Sequence, residues 1–232
     1  MRYVAIILVA GQSQRWSFGD KCLTPLNGIP AFLYSLRAFI SSRFFNQQII
    51  VCHSKEQRDI VEKTVQQWLP ETSSFPQYIL GGATRTHSVF SALEWIYNHE
   101  ERETIVFIHD GARPLLTAQN LENLRNVATK DIGATLAHRI TDTILWEPQR
   151  TYPPREQLLA LETPQAFYLP QLYDDYQEFL KNPQSVTDDT SIYTGALKIV
   201  ENYTPNFKLT YPQDRTFIEF LLVERAQSLI KP

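Results

Sequence analysis

Cysteine is nearly absent from this chain: Cys22 and Cys52 are the only two in 232 residues. A chain of this length needs no disulfide staples, and neither cysteine has the spacing of a zinc or redox motif. Cys52-His53 ends a predicted strand and reads as packing rather than ligation. A long apolar span and a secretory leader are also missing. Their absence excludes a membrane-spanning chain and predicts a reducing cytoplasm, where the acceptor sequence Asn202-Tyr203-Thr204 has no meaning for glycosylation. No basic excess is present either. With 22 Lys and Arg against 25 Asp and Glu, the net charge is -3, which argues against binding to duplex nucleic acid but leaves room for a local cationic pocket. The first glycine loop lacks Gly-x-Gly-x-x-Gly, and no acidic residue closes a second strand near position 30. Both absences speak against a nicotinamide dinucleotide site.

What remains is 43% hydrophobic and 20% charged, enough to bury a sizeable core in one domain spanning 1–232. Val4 to Val9 is a short continuous apolar run closed by a glycine and reads as a buried strand. Further strands are predicted at Gln48–Cys52, Tyr78–Leu80 and Thr104–His109. Helices alternate with them. Pro30 opens one with Phe32, Leu33, Leu36, Phe39 and Ile40 on a single face, and Lys55–Trp68 turns Ile60, Val61, Val65 and Trp68 inward. Another begins at Thr84 with Val89, Leu93 and Ile96 inward, and another near Thr117 with Leu121, Leu124 and Ala128. This alternation predicts an α/β fold: three layers around a mostly parallel sheet. After the strand Ile132–His138 the pattern changes. Asp142–Glu147 reads as a second strand, and Pro148, Pro153 and Pro154 are poor core material, so residues 139–160 read as a protruding β-arm or extended loop. The chain returns through Gln165–Leu169, a helix over Pro170–Leu180 and strands at Leu197–Val200 and Phe207–Thr210. A last helix from Pro212 carries Phe217, Phe220, Leu221 and Ile230 and is expected to pack across the sheet.

Four stretches could carry chemistry. Val9 to Lys21 leaves the first strand through small polar residues with Arg15 and Lys21, a setting where backbone N–H groups and cations meet phosphates. Its plain alternative is a strand-to-helix loop with solvated cations. Gly81-Gly82-Ala83-Thr84-Arg85-Thr86-His87-Ser88 is either a ligand turn or a flexible turn plus an N-cap. In His109-Asp110-Gly111-Ala112-Arg113-Pro114, Asp110 suits substrate hydroxyls or a metal and Arg113 suits a phosphate; a local Asp–Arg pair is the structural alternative. Thr187-Asp188-Asp189-Thr190 is a site or the cap of a short helix.

Taken in order, with Asp142-Thr143, Arg155, Thr163-Pro164-Gln165 and Lys208 following, these stretches resemble the 2-C-methyl-D-erythritol 4-phosphate cytidylyltransferases of the non-mevalonate isoprenoid pathway. The resemblance runs from the first strand to the last helix. It implies a Rossmann-like nucleotidyltransferase fold and CMP transfer from CTP to the acceptor's phosphate, giving CDP-methylerythritol and pyrophosphate. It also implies that Arg15 and Lys21 bracket the α-phosphate, while Ala10, Gly11, Gly82 and Ser88 hold the cytidine. Asp110, Arg113, Thr187 and Lys208 match the acceptor side. Thr143 and Arg155 match residues that reach in from the partner of a homodimer, and the proline-bearing arm has too few apolar positions to pack on its own core. Both reactants are anions and the phosphate nucleophile is already ionised. Catalysis therefore reduces to positioning and electrostatics, with Mg²⁺ expected chiefly on the triphosphate oxygens rather than on protein ligands.

Three positions depart from the family pattern: Ser13 stands for a second loop glycine, Asp20 lies beside Lys21, and Ala83 follows the double glycine. The alternatives left open are a cytidylyltransferase for ribitol 5-phosphate or another polyol phosphate, and a non-catalytic nucleotide-binding protein.

Overall fold

A computed structural model describes residues 1–11, 16, 19–70, 75–184, 186 and 188–228. The predicted Ile230 contact and the departure at Ser13 lie outside them.

The chain opens with β1 (Arg2–Leu8), followed by two tiny strands, β2 (Pro25–Leu26) and β3 (Ile29–Pro30), then α1 (Ala31–Ser41) and β4 (Gln47–Cys52). Asn27 and Gly28 join β2 to β3 with φ of 47° and 83°, the left-handed geometry a two-residue hairpin demands. Next come α2 (Lys55–Trp68), β5 (Gln77–Leu80), α3 (Arg85–His99), β6 (Thr104–Asp110), α4 (Ala118–Arg125) and β7 (Ile132–Arg139). The second half holds β8 (Leu159–Tyr168), α5 (Leu169–Lys181), β9 (Ala196–Glu201) and α6 (Asp214–Ser228). The sheet order is β5-β4-β1-β6-β8-β7-β9, parallel except for β8, which runs against both neighbours.

Period-two alternation divides the core between the two faces of the sheet. Ala5 and Ile7 of β1, Ile50 of β4 and Phe107 of β6 join one cluster with Leu36 of α1, Val61 of α2, Leu121 of α4 and Ile218 of α6. Val4, Ile6, Ile49, Val106 and Ile108 join the other with Leu93 of α3 and Leu172 of α5. Each fully buried Leu, Ile or Phe contributes roughly 2–3 kcal/mol over its exposed state, so a strand buried on both faces is fixed in register. Thr84 and Thr117 cap α3 and α4, accepting from His87 N and Asn120 N; such caps are worth about 1 kcal/mol each.

Several expectations are corrected. Ile60 is 52% exposed because the buried stripe of α2 runs through Gln57, Val61 and Val65, four residues apart. On α6 the inward face is Ile218 with Leu221 and Leu222, leaving Phe217 and Phe220 exposed. Residues 142–147 form no strand: between β7 and β8 the chain has an isolated bridge, Trp146 to Thr151, and one 3-10 turn at Arg155–Gln157, so the extended-loop reading holds there. β8 already begins at Leu159. Phe207–Thr210 is also irregular, since the sheet ends at β9 and this segment instead crosses the carboxyl end of β6, where Leu209 N bonds Ala112 O at 2.8 Å.

Candidate active site

β1 and β6 lie side by side with Leu8 opposite Asp110, and the chain leaves β1 toward β4 on one side while β6 lies on the other. A parallel sheet whose connections part in this way opens a crevice beyond its carboxyl ends. Every motif singled out above that lies among the described residues, the arm excepted, meets there.

One lobe, of about 590 Å³, is lined by Ala10, Gly11, His53, Gly82, Ala83, Thr84, Arg85 and Ser88. The double glycine is required by close packing. A Cβ on Gly81 would come within 2.5 Å of Ser88 Oγ, and one on Gly82 within 2.4 Å of His87 Cβ. The capping and ligand readings of this turn are therefore compatible, since Thr84 caps α3 while the glycine backbone faces the lobe.

A second lobe holds Lys21 with Gly11, Cys22, Arg85, Asp110 and Lys208. Asp20 is engaged by its own loop and by α2. Its carboxylate accepts from Cys22 N at 2.8 Å and Leu23 N at 3.4 Å, and from the Gln57 side-chain amide. Gln57 also donates to Val9 O at 3.2 Å and accepts from His53 N at 2.8 Å, so it ties the ends of β1 and β4 to the loop bearing Lys21. Cys22 is buried, and burial, with Asp20 adding to it, pushes its thiol far above the ordinary range. It is a packing residue.

The third lobe is lined by Arg85, Asp110, Arg113, Leu161, Glu162, Thr163, Asp188 and Lys208. Asp110 receives Lys208 Nζ at 2.6 Å and Arg85 Nε at 3.3 Å, with Arg113 Nε at 4.0 Å. Burial opposes its ionisation, but Arg85, Lys208 and Arg113 outweigh that and hold the carboxyl far below the usual carboxylate range. The Asp110–Arg113 contact is looser than a simple loop-fixing pair. Arg113 instead donates to Asn206 O at 2.8 Å, and its buried Nε has no hydrogen-bond partner among the described residues. His109 points the other way, into the core, between Thr163 Oγ1 at 3.2 Å and Ser35 Oγ at 3.1 Å. Burial pushes its pKa down to about 3, so it is neutral.

The motif residues that sequence reasoning left without a role are Arg85 and Asp189. Arg85 lines all three lobes. It grips the fully buried Asp189 with bonds of 3.0 and 2.7 Å, and Tyr176 donates to the same carboxylate. The adjacent acids thus divide the two readings offered for them. Asp188 caps the short turn 189–191 through Thr190 N, while Asp189 anchors the crevice arginine. Glu162 was missed altogether; its only signal was its place beside Thr163-Pro164-Gln165. Thr143 and Arg155 are exposed on the arm and do not line the crevice, and Arg155 bonds Thr141 O at 2.9 Å. Arg15 and Thr187 lie outside the described residues.

Known proteins are similar to this chain over nearly its whole length. Enzymes called 2-C-methyl-D-erythritol 4-phosphate cytidylyltransferase are 34% identical in Bacillus velezensis, over 96% of each chain, and 34% identical in Shouchella clausii, over 99% of this chain and all of the relative. Among solved structures, 4-diphosphocytidyl-2C-methyl-D-erythritol synthase from Anaerococcus prevotii superposes with a TM-score of 0.80 at 23% identity, covering 95% of this chain and 96% of its own. The cytidylyltransferase of Thermus thermophilus gives 0.75 at 23% identity, covering 95% and 98%; both show the shared fold. The family model for IspD, 2-C-methyl-D-erythritol 4-phosphate cytidylyltransferase, matches residues 3–224, and the chain belongs to that family.

Proposed function

We propose that the crevice divides the family's reaction between its lobes, with CTP over Ala10, Gly11, Gly82 and Ser88 and the acceptor phosphate over Arg113 and Lys208. The activity is the family's own, cytidylyl transfer to 2-C-methyl-D-erythritol 4-phosphate; the residue roles are our reading. The observation that carries them is the grouping of Lys21, Arg85, Arg113 and Lys208 at one sheet edge around Asp110. An acceptor phosphate oxygen attacks the α-phosphorus, the bond to the β-phosphate breaks, and pyrophosphate leaves on the opposite side. Lys21, with Arg15 of the same loop, offsets charge on the α-phosphate. Lys208 and Arg113 hold the attacking phosphate, and Asp110 keeps Lys208 in place and takes acceptor hydroxyls. No general base is required. Polyol phosphates other than methylerythritol phosphate are not favoured by the relatives, nor is a protein without activity.

Mg²⁺ fits as an ion carried by the triphosphate. Among the described residues no cluster of three His, Cys, Asp or Glu could cage it, and the Asp110 oxygens are already engaged by cations. When bound it would neutralise triphosphate charge.

The domain is read as 1–232, with 139–160 as an arm that embraces a second copy and brings Thr143 and Arg155 to the partner's crevice. Support comes from Leu145, Trp146 and Tyr152 exposed on the arm and from Leu197 and Ile199 exposed on the edge strand β9. No helix among the described residues is long and apolar enough to cross a membrane, and two free buried cysteines suit a reducing cytoplasm. Pyrophosphate release with CTP and each of two acceptors tests the assignment. Methylerythritol phosphate should turn over well, and a preference for ribitol 5-phosphate would overturn it.

A further inference from the structure

Lys208 sits on a segment that belongs to no helix or strand: residues 202–210 lie between β9 and α6 without regular structure. Something else must fix its place. Two ties strap the segment over the Asp110–Arg113 loop, one from the Arg113 guanidinium to Asn206 O at 2.8 Å and one from the backbone Leu209 N to Ala112 O at 2.8 Å. Beneath the strap lies Glu162, only 4% exposed. Its Oε2 accepts from Asn206 Nδ2 at 3.0 Å and Asn202 Nδ2 at 2.8 Å, and its Oε1 meets His138 Nδ1 at 2.6 Å. Asn206 Nδ2 also donates to Thr163 O at 2.8 Å, and the Thr163 hydroxyl receives Asp110 N at 3.1 Å.

A buried carboxyl group is costly unless its oxygens are hydrogen-bonded, and both oxygens of Glu162 are engaged. Here those bonds join the root of the arm at His138, the end of β9 at Asn202 and the strap at Asn206. We propose that Glu162 is a positioning residue for the acceptor side: it orients Asn206, whose carbonyl holds Arg113 and whose chain presents Lys208. The charge itself is not required. In Glu162→Gln the amide oxygen can face the two asparagines while its NH₂ donates to the His138 ring in the complementary tautomer. Glu162→Ala leaves Asn206 without this anchor.

The inference rests on reading the Asp110 lobe as the acceptor side, and steady-state kinetics on the full chain separates the two. Glu162→Ala is expected to raise the methylerythritol phosphate KM about tenfold while the CTP KM stays within about twofold, and Glu162→Gln is expected to recover most of the loss. Equal shifts in both KM values, or a Gln variant as impaired as the Ala variant, would overturn the proposal. If Glu162→Ala folds poorly, Asn206→Ala cuts the same tie from the other side, and the same selective change is expected; a uniform loss overturns it. Lys208→Ala runs in parallel. If that variant matches the wild type, the acceptor-side reading itself fails. If it is impaired while Glu162→Ala is not, only the Glu162 proposal fails.

Discussion

Arg85→Met should destabilise this protein well beyond the loss of an ordinary ion pair. The guanidinium meets Asp189 through two parallel bonds, and Asp189 is fully buried with Tyr176 as its other side-chain partner. Removing the cation strands a carboxylate in the interior, which for a buried pair costs about 3–5 kcal/mol. The Arg85 side chain keeps 29% of its exposure. Water therefore screens the pair in part, and the expected loss falls at the low end, about 3 kcal/mol. In a chain of this length that is a fall in Tm of about 6–12 °C. Asp189→Asn should cost less, about 1–2 kcal/mol, because Arg85 retains Asp110 and some solvent. The double variant Arg85→Met with Asp189→Leu removes both charges and should be about 1–2 kcal/mol more stable than Arg85→Met alone. Urea unfolding of the three variants forms the measurement. An Arg85→Met loss below about 1 kcal/mol, or a double variant whose loss exceeds that of Arg85→Met, would refute the reasoning.

Lys21→Ala should lower kcat by about 10²–10³ while leaving the unfolding midpoint unchanged; a change confined to KM would remove Lys21 from the transition state. Mixing Lys21→Ala protein with Arg155→Ala protein tests the arm. If arms serve the partner's crevice, random exchange restores about a quarter of wild-type activity from two impaired parents, whereas arms acting on their own subunit restore none. His109 gives a pH signature. Its folded pKa of about 3 lies below the unfolded value of 6.5, so between those values the unfolded chain binds a proton that the folded chain does not. Stability is complete above the unfolded pKa and falls as the pH drops, by about 3 kcal/mol from pH 7 to pH 4. His109→Gln should flatten that slope in urea titrations across pH, and an unchanged slope would exclude His109 as its source.

Much of the fold follows from local pattern. The continuous apolar run of Val4 to Val9, the helical spacing of Phe32, Leu33, Leu36 and Phe39, and the caps at Thr84 and Thr117 are short-range properties that a chain shows residue by residue. The motif order carried the family, because Lys21, Asp110, Arg113 and Lys208 each sit beside recognisable turn and strand signals. Where prediction failed, periodicity was ambiguous. Ile60, Phe217 and Phe220 fall beside the buried stripe rather than on it, and 142–147 has strand-like residues with no neighbour to complete a ladder.

What only the tertiary structure decided are the contacts between distant residues. Arg85 and Asp189 are 104 positions apart, Lys208 and Asp110 are 98 apart, and Asn206 lies 44 from Glu162. Spacing along a chain carries no record of such pairs, since they form only when the sheet brings the ends of β1, β6 and β8 together. The same holds for Asp20. By sequence it is the neighbour of Lys21, but folding brings Gln57 to its carboxylate, which ties the loop to α2. Sequence thus determined which groups could act, and packing decided which of them face the crevice and which hold the others in place.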